Sequence, residues 1–150
     1  MRILLAALVA LSVAGCAGGP AGPTLPQTLT FKLNEYVEGG GILPLTGRLE
    51  LIIEPTGDAK SACRRDILTD VQRSGSLSRQ QLVELVAKVD VWTKSTTPSP
   101  SGNNHGLIVY GTHKAGWQKD ATLPPELQAL VDFLLTIPTT LQLETRRKGF

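Results

Sequence analysis

The chain has 150 residues, with 15 basic and 13 acidic side chains, a formal charge of +2 and two cysteines. That length holds one domain. The near-balanced charge, with no basic block longer than Arg146-Arg147-Lys148, gives no footprint for a nucleic-acid partner.

In chain order, the first segment is MRILLAALVALSVAGCAGG. Arg2 supplies a positive start, and Ile3 to Val13 form an uncharged run that is apolar except for Ser12. A bilayer core needs about 20 apolar residues, so this run is too short to span one, but it matches the central region of an export signal. Val13-Ala14-Gly15-Cys16 resembles the lipobox of bacterial lipoproteins. That resemblance implies that residues 1–15 are a cleaved signal peptide and that Cys16 carries the lipid. The expected location is the cell envelope, with the membrane as partner through Cys16. Ala17, where many double-membrane bacteria place an inner-membrane Asp, points to the outer membrane, facing the periplasm or the cell surface.

With Cys16 acylated, Cys63 would stand alone and no intrachain disulfide could form. Arg64 and Arg65 beside it would favour a thiolate, and the alternative is a half-buried small residue.

Residues 16–27, rich in Gly and Pro and uncharged, read as a flexible tether. A single domain is expected over residues 28–138. Leu29, Phe31 and Leu33 alternate with Thr30, Lys32 and Asn34, which is strand periodicity. A second strand is expected over Thr46–Pro55, joined to the first as a hairpin with a long loop. Thr56-Gly57-Asp58 reads as a turn. Ala62–Arg73 fits either a third strand, centred on Asp66–Gln72, or a short helix.

The clearest helix begins at Ser78. Ser78 and Gln81 form a capping box, Leu77 and Leu82 a hydrophobic staple, and Leu82, Leu85, Val86, Val89 and Trp92 a stripe. After the loop Ser95–Asn104, a strand is expected over Gly106–His113, then a turn at Lys114-Ala115-Gly116 and a partner strand at Trp117–Ala121. Pro124 and Pro125 open a second helix with a stripe from Leu127 to Leu135, and Pro138 ends it. Residues 139–150 are expected to fray. The fold class is therefore α+β, an antiparallel sheet of four to five strands with two amphipathic helices on one face.

The motifs that carry chemistry are not found. His105 and His113 lie eight apart, without the further Cys, His or carboxylate ligands that zinc needs, and HExxH, CxxC, GxSxG, P-loop and GxGxxG patterns are lacking. No metal, no cofactor and no catalytic residue is expected. Glu35 and Glu38 frame a glycine loop and read as solvated charges. Trp92 reads as core, and Trp117 could pack or stack on a sugar.

The unusual feature is the loop Gly39–Leu45, where Ile42, Leu43 and Leu45 flank Pro44. These aliphatics either fold back as a plug or present an apolar anchor to a partner. Pro44 would lower the ordering entropy lost on binding.

The order of features, namely a glycine turn, a strand with Arg48 and Leu49, the helix LSRQQLVELVAKVDVW, the strand GLIVYGTH and the closing LPPELQALVDFL, resembles the emfourin-like proteins, small inhibitors of thermolysin-type (M4) metalloproteases. The resemblance covers about Phe31–Ile137. This chain differs in a longer first hairpin, an extended Asp58–Ser74 segment and Asn104-His105-Gly106 where the pattern has Asp-Gly-X-X-Tyr. The resemblance implies a non-catalytic, protein-binding domain. If the domain inhibits such an enzyme, the apolar character of the loop makes Gly40, Gly41, Ile42, Leu43, Pro44 and Leu45 the expected contact, with Ser95–Asn104 as a second contact. Ile42 or Leu43 would occupy the subsite just after the scissile bond. The competing expectation is a structural or accessory envelope lipoprotein.

Overall fold

The computed structural model describes residues 22–38, 45–64 and 70–144. It contains β1 (Leu29–Glu38), β2 (Leu45–Ile53), β3 (Asp58–Arg64), β4 (Asp70–Ser76), α1 (Arg79–Thr93), β5 (Gly106–Tyr110), β6 (His113–Trp117), α2 (Pro125–Thr136) and β7 (Gln142–Leu143). The strands form one antiparallel sheet of seven in the order β6-β5-β1-β2-β3-β4-β7. The α+β class is thus present, with more strands than the four to five expected.

The alternating pattern explains the central strands. Leu29 and Phe31 on β1, Leu49, Leu51 and Ile53 on β2, Ala59 and Cys63 on β3, and Ile108 and Tyr110 on β5 are all buried on one face. Lys32, Arg48, Glu50, Lys60 and Arg64 emerge on the other. The buried face joins Leu82, Leu85, Val89 and Trp92 of α1 and Leu127, Leu130, Phe133 and Leu134 of α2 in one core.

Three expectations are corrected by local pairing. Asp58–Arg64 and Asp70–Ser76 are two strands of a hairpin, not one strand at Asp66–Gln72. The ambiguity arose because small or polar residues (Ser61, Ala62, Gln72, Ser74) occupy much of both strands. The β5–β6 turn lies at Gly111 and Thr112, not at Lys114–Gly116, and β6 is His113–Trp117 rather than Trp117–Ala121. Gly111 has φ +58, a left-handed conformation that glycine adopts without penalty.

Both chain ends of the domain are more ordered than expected. Leu25, assigned to the tether, is 2% exposed and belongs to the core. Gln27 packs so closely over Gly111 that a Cβ there would overlap its side chain. At the other end, a 3-10 turn at Pro138–Thr140 seats Leu141 in the core, and Gln142–Leu143 pairs with β4. The expected fraying does not start at Thr139. Each end seats one leucine, Leu25 or Leu141, that completes the apolar layer.

The helix expectations hold. Ser78 Oγ accepts the Gln81 N–H at 3.1 Å, and Gln81 Oε1 accepts the Ser78 N–H at 2.8 Å. α2 starts after Pro124 with Pro125 in its first turn. α1 begins beside the β2–β3 turn, where the Leu77 N–H donates to Gly57 O at 2.9 Å, and ends where Trp92 meets His113. It therefore crosses the sheet near the end at which β1 begins.

Candidate protein-binding interface

The register separates two ends of the sheet. At the near end, where the chain joins β1, Leu29 lies between Ile53 and Tyr110. At the far end β1 and β2 run on to Glu38 and Leu45, the residues that flank the first hairpin loop, while the far ends of the neighbouring strands (Arg64, Asp70, Gly106 and Trp117) lie level with the middle of β1, Gly106 opposite Leu33. β1 is ten residues long, so the two ends stand about 30 Å apart at about 3.4 Å per residue.

Of the expected contact loop, Gly40, Gly41, Ile42, Leu43 and Pro44 lie outside the described residues, as does the lipidation residue Cys16. Leu45 opens β2 opposite Glu38. The expected second contact, Ser95–Asn104, runs beside β6: the Gly116 N–H donates to Pro98 O at 3.2 Å, and the His105 N–H to Trp117 O at 2.7 Å. It covers part of an edge strand, which would otherwise expose unpaired backbone groups. Its last residues are held by Asn104, which accepts the Ser101 N–H at 2.9 Å and donates to Ser101 O at 2.7 Å. The loop therefore meets β1 at Asn34, on the side from which the first hairpin projects.

A β-bulge shapes that end. The β1–β2 register gains one residue on β1 between Leu33 and Tyr36, and Glu35 takes φ +59. The extra residue turns Tyr36 into the core and frees Asn34, whose backbone N–H donates to His105 O at 2.8 Å and whose side chain donates to Asn104 O at 3.0 Å. Glu35 pairs with Lys119 at 2.6 Å, both half exposed. The hydrogen bond and charge of Lys119 hold the Glu35 carboxyl below the usual carboxylate range, and Glu35 raises Lys119 in return. Asp120, next to Lys119, is a second non-glycine residue with positive φ (+63). Two such backbone positions at one end of the sheet are features that accompany functional surfaces. Sequence periodicity gave no sign of them, because a bulge displaces the pattern by one residue without changing its residue types.

The other candidates resolve by position. His105 and His113 lie at opposite ends of β5–β6, and no group of three possible metal ligands occurs among the described residues. Cys63 is buried at 4% exposure on the core face, more deeply than the half-buried position expected. Trp92 is in the core, with His113 edge-on at 6.4 Å. Trp117 is buried over Gly106, so it packs and offers no exposed face for a sugar.

No helix among the described residues is long and apolar enough to cross a membrane. No known family, curated protein or solved structure matches the chain.

Proposed function

We propose that this chain is a lipid-anchored, non-catalytic protein-binding module of the cell envelope. Cys16 carries its anchor, and the far end of the sheet, with the loop Gly40–Leu45, is its contact end. The observation that carries this reading is the opposition of the two ends. The chain comes from Cys16 into the near end, while the strands that bear the apolar loop finish at the far end. Leu25 is seated in the core, nine residues after Cys16. A fully extended tether then spans about 30 Å at about 3.3 Å per residue, and the contact end faces away from its attachment.

The resemblance to emfourin-like proteins makes a thermolysin-type metalloprotease the specific partner to test. In this reading Ile42 or Leu43 would occupy an apolar subsite of the protease, and Pro44 would lower the ordering entropy lost on binding. The test is titration of a thermolysin-type protease with the domain, alongside Leu43→Asp. Inhibition that weakens by at least about a hundredfold in the variant, near 3 kcal/mol, fits a buried apolar anchor. No inhibition by the folded domain at micromolar concentration would make the accessory-lipoprotein reading the better one. Mass spectrometry of the envelope protein tests the anchor: acyl mass on Cys16 is expected, and an unmodified Cys16 would remove it.

A further inference from the structure

We infer that the open face of the sheet, around Arg48, is a docking surface for an acidic segment of a protein partner. Among the described residues, the helices cover one face only. Across the other, two contiguous grooves of ≈ 230 and ≈ 320 Å³ share Glu50 and Ala62 as lining residues. Their floor and margin are basic: Lys32 and Arg48 on β1 and β2, Lys60 and Arg64 on β3.

Two observations give the face its polarity. Arg48 and Arg64 are direct cross-strand partners. This register sets two positive side chains next to each other on the open face. Two acids line the grooves, and both are engaged: Glu50 by Lys32 at 3.3 Å and Glu144 by the Ser74 hydroxyl, whereas Arg48 has no ion pair among the described residues. Beside the cations, Ile52, Leu107 and Val109 are half-buried on the same open face. Basic margins beside a strip of aliphatics complement an extended segment in which acidic and apolar residues alternate, because a strand places alternate side chains on one face. Arginine is suited to such a carboxylate through its planar fork of donors.

The test uses the full chain purified in detergent and a fluorescein-labelled peptide of alternating Glu and Val, read by fluorescence anisotropy. Arg48→Glu is expected to weaken binding at least about tenfold. Lys88→Glu makes the same change of net charge on α1, on the covered side, and is expected to leave binding within about twofold, as is Leu43→Asp in the hairpin loop. Circular dichroism confirms that each variant is folded. Equal losses in Arg48→Glu and Lys88→Glu, or no binding by the parent chain, would overturn the inference. So would Arg48-dependent binding to phosphatidylglycerol vesicles in place of the peptide, which would assign the face to a bilayer. The Leu43→Asp arm separates this surface from the loop: protease inhibition can fail while peptide docking stands, and the reverse.

Discussion

Gly106 shows how a single missing side chain can set a local architecture. A Cβ at this position would fall inside the Trp117 ring, its cross-strand partner. Gly106→Ala is expected to destabilise the domain by about 1–3 kcal/mol, the usual cost of overpacking, measured by chemical denaturation. The Glu35–Lys119 pair makes a second prediction at this scale. The folded Glu35 carboxyl lies below its ordinary value, so the pair contributes above the unfolded pKa and is lost as pH falls through the folded one. Because both groups are exposed, its effect on stability is small. The sharper readout is an NMR titration of Lys119→Ala, in which the Glu35 pKa should rise toward 4.5. An unchanged titration would mean that Lys119 does not hold the carboxylate in solution.

Elements carry the same logic in a longer reach. The α1 cap was legible because Ser78, Gln81, Leu77 and Leu82 each have one local job, and all four jobs agree. Ser78→Ala should therefore cost about 1 kcal/mol, visible as a lower midpoint in urea with unchanged slope. β1, β2 and β5 were legible for a similar reason: alternation over five or more residues leaves few competing readings. The β3–β4 hairpin was not, since its strands bury small residues and its pairing is a long-range fact. Nor was the role of Leu25. Its neighbours Gly22, Pro23 and Pro26 read as tether, and only tertiary packing places the leucine beneath 2% exposure. Leu25→Ala is expected to cost about 2–5 kcal/mol if that packing holds, whereas a leucine in a true linker would cost nearly nothing.

At the scale of the whole molecule, one sheet separates three surfaces. The near end receives the chain, the far end gathers the bulge, the Asn104 loop and the first hairpin, and the open face carries the basic grooves. The residues of the far end were legible only as separate loops. Glu35, Asn104 and Lys119 are far apart in sequence, and the antiparallel register brings them together. The open face was invisible for the opposite reason: its cations are spread singly over β1, β2 and β3, so no basic run marks it.

The central claim, that contacts are made at the far end, is tested most directly by photo-cross-linking in the native envelope. Val37, near the tip of β1, and Val91, on α1, are equally available, with 51% and 53% of their surfaces exposed. A benzophenone side chain at Val37 should give a discrete protein adduct, and the same group at Val91 should give none. An adduct from Val91 with Val37 silent would contradict the account and move the partner to the helical face.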